Sequence, residues 1–278
     1  MNIARHLERS AAFFPDRPAV CAGEREITYQ ALNQQADRVA RALERLGVRP
    51  GDRIGLCAPN SPEWLAFYFG VLKTGAAAAT FSFQLPAEEL VRLIPAIGLR
   101  FIFSTGDKRG ALTGLKAAGS LEGLLGPAGD PDWSEELARH TGPFPTVERN
   151  RSDTAAVLFT GGTTGFPKGV QLSHENITVS SHNVAYSERS TEQDRALCFL
   201  PFNHVFGQMH IMNATLFSGG CLELLPAFDL DRVLETLATE KITKFYAVPT
   251  VYIRLLALDR LRERLPGVRY CFSAAASL

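Results

Sequence analysis

The chain has 278 residues, 46% of them hydrophobic, and its 29 lysines and arginines balance 29 aspartates and glutamates. This length allows one large or two modest domains, and the balanced charge makes nucleic acid an unexpected partner, so anion binding must be local. Five cysteines without a C-x-x-C spacing favour reduced, mostly buried thiols over a disulfide framework or a zinc site.

Strand and helix patterns alternate through the first part of the chain. The N-terminal segment 1–14 carries charges throughout, so it is neither a signal peptide nor a membrane span. Ser61 is placed to cap a helix that has Pro62 at its first position. Apolar spacing and turn residues predict helices over 31–46, from 62 and over 87–97, and strands over 53–58, 77–80 and 100–104.

The pattern weakens between Asp107 and Arg151, where glycine, proline and charged residues accumulate. We interpret this segment as a variable peripheral segment or a linker, without chemistry. It separates two predicted α/β subdomains, 1–150 and 151–278. The second contains predicted strands at 155–159, 169–172, 196–199, 221–225, 244–248 and 268–273, and helices from about 174, over 205–217 and over 230–240.

A loop rich in glycine and threonine follows the strand at 155–159. Glycines let backbone N–H groups approach an anion closely, threonine hydroxyls add donors, and Lys168 adds a positive charge. The loop residues with these properties are Thr160, Gly161, Gly162, Thr163, Thr164, Gly165 and Lys168. The spacing excludes a Walker A loop, and the chain has neither a G-x-G nor a G-x-S-x-G motif. The pattern therefore predicts a phosphate-binding loop at a strand edge.

Other turns with distinctive residues also follow predicted strands. They contain Asn203 and His204, Pro249 and Thr250, and the segment 273–277. Ligands of open α/β sheets lie outside the carboxyl ends of the strands. We therefore expect these three turns and the loop at 160–168 to converge on one cleft. His204 and His210 are six residues apart, a spacing that does not favour a zinc pair on a helix.

The loop resembles the signature loop of the acyl-adenylate-forming superfamily, which includes acyl-CoA synthetases, luciferases and peptide synthetase adenylation domains. Gly161 stands where many members carry serine. Further segments resemble the family in its own order: 28–32, 49–53, 58–61, 73–76, 86–90, 200–207, 248–250 and 273–278. The resemblance implies layered α/β sheets flanked by helices. It also implies that the chain stops before the small C-terminal lid domain, whose lysine serves adenylation, and is feeble or inactive alone.

The resemblance implies roles for particular residues. The loop residues named above would bind the β- and γ-phosphates of ATP, with Lys168 and Thr163 as catalytic donors and Thr163 also contacting Mg²⁺. His204 would lie beside the carboxylate being activated, while Phe206, Thr250 and Tyr252 would line the acyl pocket. The turn that resembles the adenine-binding segment contains Ser273, Ala274, Ala275 and Ala276, and it has fewer glycines than is usual in the family.

The reaction implied is activation of a fatty acid to acyl-AMP, followed by transfer to coenzyme A in the cytoplasm, by a monomer or a homodimer. Two alternatives stay open. One is an enzyme that activates aryl or amino acids or delivers the acyl group to a carrier protein. The other is a non-catalytic module that binds nucleotide or acyl groups.

Overall fold

A computed structural model describes residues 1–105, 108–127, 133–160, 167–258, 265 and 267–275, with only the backbone of Thr160. The chain forms two compact units. The first comprises Met1–Glu8, Ala31–Pro59 and Glu63–Thr178, and the second comprises Arg9–Gln30, Asn60–Pro62 and Val179–Leu278. The units are thus interleaved along the chain, whereas the sequence analysis places a single boundary near residue 150.

Helices and strands alternate along most of the chain. The α-helices are α1 (Ala4–Phe13), α2 (Tyr29–Arg45), α3 (Pro62–Lys73), α4 (Ala87–Ile97), α5 (Arg109–Ala117), α6 (Trp133–Ala138), α7 (His174–Ser187), α8 (Ala214–Ser218), α9 (Leu230–Thr239) and α10 (Pro249–Leu256). A π-helix, Phe206–Asn213, directly precedes α8. The strands are β1 (Pro18–Ala22), β2 (Arg25–Thr28), β3 (Arg53–Cys57), β4 (Ala77–Thr80), β5 (Phe101–Ser104), β6 (Gly123–Leu125), β7 (Thr154–Thr160), β8 (Lys168–Ser173), β9 (Arg195–Cys198), β10 (Cys221–Leu224), β11 (Lys244–Ala247) and β12 (Tyr270–Ser273).

The sheet of the first unit has the strand order β6-β5-β3-β4-β7-β8. All neighbouring strands are parallel except β7 and β8, which form an antiparallel pair. All four residues of β4 and of β5 are buried. Short apolar runs of this kind are typical of parallel strands covered on both faces, which explains why the sequence predicts β4 and β5 to within one residue.

Within the described residues, the segment after Asp107 forms α5, β6 and α6, so it is not a linker. Helix α5 buries Leu112 and Leu115, and these side chains belong to the same apolar cluster as Leu121 and Leu124. Strand β6 pairs in parallel with β5. Its three residues and the short, glycine-containing α5 carry too little periodicity for recognition by sequence pattern, so tertiary packing determines their structure.

The sheet of the second unit has the order β12-β11-β9-β10-β1-β2, in which only the β1–β2 pair is antiparallel. One of its faces packs on α9 and α10 through an apolar cluster that includes Leu197, Phe245, Leu237 and Leu255. The sequence analysis does not predict β1 and β2, two short strands joined by a tight turn. Within the described residues, no helix is both long enough and apolar enough to span a membrane.

A buried ion cluster stabilises the first unit. Lys73, whose side chain is 1% exposed, donates to Asp37 at 2.7 Å and to Glu8 at 3.0 Å. Burial raises the pKa of Glu8, but hydrogen bonds from Thr146 and Lys73 and the lysine charge outweigh burial and lower it overall. The ammonium group is thereby paired with two carboxylates, as a buried charge requires.

The close contact between α2 and α3 provides a test of the packing. A Cβ atom added to Gly70 would lie 2.4 Å from a Val39 methyl carbon, so we expect Gly70→Ala to lower the free energy of unfolding by about 1–3 kcal/mol. Gly114, inside α5, has nothing within 4 Å of such an atom, so Gly114→Ala should raise stability by up to about 1 kcal/mol. Urea unfolding measures both changes. A neutral Gly70→Ala would contradict this packing.

His174 gives the first unit a pH-dependent stability. The side chain is fully buried, its Nδ1 accepts from the Ile3 N–H at 3.2 Å, and burial, with the Arg149 charge, lowers its pKa to about 4. Between pH 6.5 and 4 the unfolded chain gains a proton that the folded chain does not, so this group makes stability fall with falling pH. Relative to His174→Gln, we expect the wild type to lose about 1–2 kcal/mol more between pH 7 and 5. Urea unfolding at both pH values measures the difference, and equal losses would contradict a neutral His174.

Candidate functional site

Three of the four motif-bearing turns lie at one edge of the second sheet. Strands β9, β11 and β12 are parallel neighbours, so their carboxyl ends meet the same edge. The residues that follow them are 199–204, 248–250 and 274–275. The fourth element, the loop at 160–168, follows β7 in the sheet of the other unit. Convergence of all four on one cleft therefore stays a prediction.

The candidate phosphate loop connects β7 and β8 as a hairpin. In the antiparallel register, Thr160 lies opposite Lys168, so the exposed lysine stands where the loop re-enters the sheet. Phe159, before the loop, stacks on Phe81 with ring centroids 4.6 Å apart, which anchors the end of β7. The remaining predicted phosphate ligands lie outside the described residues: Gly161, Gly162, Thr163, Thr164 and Gly165.

The turn that carries His204 is held by the buried side chain of Asn60. The Asn60 amide donates to Leu200 O at 2.9 Å, and its Oδ1 accepts from Phe202 N at 3.0 Å. His204 itself is exposed, and its carbonyl accepts from Gln208 N at 2.8 Å. The turn is thus fixed in position while the imidazole stays accessible, an arrangement suited to a substrate-binding residue.

The helix that the sequence predicts over 205–217 begins as a π-helix, Phe206–Asn213, and continues as α8. A Cβ atom at Gly207 would lie 2.4 Å from Pro201 O, so only glycine lets the helix approach the preceding turn this closely. The Asn213 side chain donates to the Gln208 carbonyl at 2.8 Å. Wide turns of this kind are frequent at functional sites, but their local hydrogen bonds have no recognisable periodicity in a sequence.

Two of the predicted acyl-pocket residues contact opposite faces of β11. Phe206 packs edge-on against Tyr246, with ring centroids 6.5 Å apart, whereas Tyr252 packs edge-on against Phe245 at 5.5 Å. Successive residues of a strand point to opposite faces. The Tyr252 hydroxyl donates to the carbonyls of Phe245 and Phe272, and burial raises its pKa. Thr250, at the start of α10, is exposed. That Phe206, Thr250 and Tyr252 line one acyl pocket stays a prediction.

The candidate adenine-binding turn has two unusual features. Ala275 adopts φ of 76°, a left-handed conformation that glycine adopts with less strain. The Ser273 hydroxyl is buried and has no hydrogen-bond partner among the described residues. A buried hydroxyl without a hydrogen bond raises the free energy of the folded chain, and a ligand that bonds to it would remove this cost. Ala274 lies between them, and Ala276 lies outside the described residues.

A polar network that the sequence does not predict is formed by Glu188, His210, Lys244 and Tyr246. Glu188 and Lys244 are ordinary charged residues in the sequence, and no local pattern indicates that they are buried together. No group of three His, Cys, Asp or Glu side chains in the described part of the chain is arranged to hold a metal ion.

The AMP-binding enzyme family matches residues 7–278. The chain belongs to this family. It is 32% identical to a feruloyl-CoA synthase of an Amycolatopsis species, over 92% of the chain and 50% of the relative. It is 29% identical to the long-chain-fatty-acid–CoA ligase FadD13 of Mycobacterium tuberculosis, over 100% of the chain and 56% of the ligase. The chain thus spans about half the length of these relatives.

Solved structures confirm the fold of the N-terminal domain of adenylate-forming enzymes. The ATP-bound MatB of Rhodopseudomonas palustris has a TM-score of 0.89 at 30% identity, over 99% of the chain and 55% of MatB. The N-terminal domain of FACL13 from Mycobacterium tuberculosis has a TM-score of 0.91 at 26% identity, over 99% of the chain and 70% of that domain. The expected α/β fold and the family resemblance are therefore confirmed.

The Asn60 contacts generate a test of the His204 turn. Asn60→Ala would leave the Phe202 N–H and the Leu200 carbonyl without these partners in a buried position, so we expect a loss of about 1–3 kcal/mol in unfolding free energy. Asn183→Ala, at an exposed position of α7, is the control and should change stability by no more than about 0.5 kcal/mol. Chemical denaturation measures both, and equal effects would show that Asn60 does not hold the turn.

Proposed function

We propose that this chain is the part of an acid-thiol ligase that binds ATP and the acid. The ligase would convert a carboxylic acid, in the first place a fatty acid, to acyl-AMP and then to its coenzyme A thioester. The observation that carries the proposal is the β7–β8 hairpin, in which Lys168 stands opposite Thr160 at the base of a loop rich in glycine and threonine. Membership of the AMP-binding enzyme family agrees with it.

In the first step, a carboxylate oxygen attacks the α-phosphorus of Mg-ATP, and the bond to the β-phosphate oxygen breaks to release pyrophosphate. Charge accumulates on the leaving group, so preorganised donors stabilise the transition state. We assign this role to the loop N–H groups, to the hydroxyls of Thr160, Thr163 and Thr164, and to Lys168. Mg²⁺ would enter with ATP, and the Thr163 hydroxyl would supply one oxygen ligand of the kind that this ion prefers.

The turns at the edge of the second sheet would position the other reactants. His204 is exposed on a fixed turn and would orient the carboxylate, with Phe206 beside the acyl group. The segment of Ser273, Ala274, Ala275 and Ala276 would lie against adenine, and the Ser273 hydroxyl, which no group in the described part of the chain bonds, would be a donor there. Holding carboxylate and α-phosphate in line supplies much of the rate in a reaction that needs no protein nucleophile.

In the second step, the thiol of coenzyme A gives its proton to solvent and its sulfur attacks the acyl carbonyl carbon, so that a C–S bond forms, the acyl C–O bond to phosphate breaks and AMP leaves. In the family that the chain resembles, this step and the adenylation lysine belong to a C-terminal lid domain, and the chain spans about half the length of the relatives it matches. We therefore propose that the 278-residue chain binds its substrates but turns them over feebly by itself.

An aryl acid is the second candidate substrate. It is favoured by the similarity to feruloyl-CoA synthase and by a group of aromatic rings, in which Tyr246 and Phe272 pack edge-on against Phe206 at centroid distances of 6.5 and 5.8 Å. Flat aromatic substrates pack well against such rings.

We also propose a cytoplasmic location, because four of the five free cysteines are buried and none forms a disulfide in the described chain. A homodimer is the proposed assembly, and sedimentation would test it.

The first test is carboxylate-dependent exchange of labelled pyrophosphate into ATP, with fatty acids from short to long. The chain and its reading frame extended to the natural end are both assayed. We expect exchange from the extended protein alone, and an approximately 100-fold lower rate in Lys168→Ala because a transition-state donor is lost.

The control is Lys116→Ala, which removes a lysine from α5 in the same unit as Lys168. This variant should keep the wild-type rate. Exchange by the 278-residue chain itself would contradict the need for a lid domain. Absence of exchange from both proteins with every fatty acid would exclude the fatty-acid assignment.

A further inference from the structure

A buried carboxylate fixes the orientation of His210 on the π-helix. Glu188, whose side chain is 1% exposed, lies with Oε1 2.7 Å from His210 Nε2, and its Oε2 accepts from Lys244 Nζ at 3.1 Å and from the Tyr246 hydroxyl. Lys244 also donates to the Ser190 hydroxyl. Glu188 is thus bonded by three side chains from two elements, the π-helix and β11.

The protonation pattern of the network follows from these bonds. Burial raises the pKa of Glu188, but the hydrogen bonds from His210 and Tyr246 and the Lys244 charge outweigh burial and keep the pKa below its usual value. The carboxylate is therefore ionised and only accepts, so Nε2 of His210 carries a hydrogen. In the neutral imidazole, Nδ1 is then a hydrogen-bond acceptor. No group among the described residues bonds to it.

The surroundings of the His210 ring are otherwise aromatic. Phe272 stacks on it with centroids 4.5 Å apart, and the rings of Phe206 and Tyr246 meet it edge-on at 5.4 and 5.5 Å. Phe206, His210 and Phe272 are partly exposed, whereas the groups behind them are buried. The partly exposed rings of Phe206, His210 and Phe272 therefore form a mainly aromatic surface, to which Nδ1 of the neutral imidazole adds a hydrogen-bond acceptor.

A purely structural role does not require this histidine. The Glu188 carboxylate is already paired with Lys244 and bonded by Tyr246, and a phenylalanine would fill the space of the imidazole among its aromatic neighbours. A buried charge beside a partly exposed imidazole, however, sets which nitrogen is free to bind a ligand.

We propose that His210 determines the substrate specificity of this protein by accepting, at Nδ1, a hydrogen bond from a hydroxyl group at the far end of the acid. This inference rests on the proposed function, in which the carboxylate end of the acid lies at His204 and Phe206 contacts its body. Glu188 is a positioning residue, because it acts on the acid only through the imidazole. A hydroxyl at the end of an alkyl chain and a phenolic hydroxyl provide the same donor.

The test compares acids that differ by a single hydroxyl. The pairs are 4-hydroxycinnamate with cinnamate, and 12-hydroxydodecanoate with dodecanoate, assayed by pyrophosphate exchange with the extended protein. We expect the wild type to favour the hydroxylated member of one pair by about 10- to 100-fold in kcat/KM, the range for one buried hydrogen bond. The pair that is discriminated identifies the substrate as aryl or alkyl.

His210→Phe should abolish this preference by lowering kcat/KM for the hydroxylated member much more than for the member without the hydroxyl. Glu188→Gln should reduce the preference, because a neutral amide no longer fixes the tautomer. His182→Phe is the matched control, since His182 also stacks on an aromatic ring, that of Tyr186, but lies exposed on α7, and it should keep the full preference.

Three outcomes distinguish the hypotheses. Exchange by the wild type without discrimination in either pair would overturn the inference and leave the proposed function standing. An equal fall for both members of a pair in His210→Phe would also overturn it, because such a fall indicates a structural role. No exchange with any acid of this or the fatty-acid panel would overturn the proposed function itself.

Discussion

Parallel pairing of strands is the constraint on which the candidate site depends. Each parallel strand returns the chain to the same edge of its sheet, so residues far apart in sequence become neighbours without any attraction between their side chains. The pairing of β11 with both β9 and β12 brings the turns after residues 198, 247 and 273 together in this way. The side chains of those turns need only local contacts, such as those of Asn60, to reach a defined position.

The sequence is most informative where one physical signal dominates. Strands β4 and β5 are continuous apolar runs, and α3 begins at Pro62, where proline costs the helix no hydrogen bond, so their positions can be read directly. The glycines and threonines of the loop after β7 likewise indicate anion binding by their composition alone.

Elsewhere the decisive contacts are tertiary. The α5–β6 segment follows from the burial of Leu112 and Leu124, and the π-helix from the contact of Gly207 with Pro201, neither of which has a periodic signature. The polar network around Glu188 joins residues from α7's end, the π-helix and β11, so no spacing rule predicts it. Tertiary contacts can also involve a residue that the sequence assigns to a ligand. The position of Tyr252 after a strand suggests a ligand contact, but its hydroxyl bonds to the backbone of the sheet.

The π-helix also affects how this chain is compared with its relatives. An α-helix has 3.6 residues per turn and rotates about 100° per residue, whereas a π-helix accommodates an additional residue in its wide turn. A homologue with one residue fewer between 206 and 213 would regain the α-helical spacing, and the side chain aligned with His210 would then face a different direction. Sequence alignments across this helix need a gap chosen by structure, because a gap-free alignment would compare side chains that occupy different places.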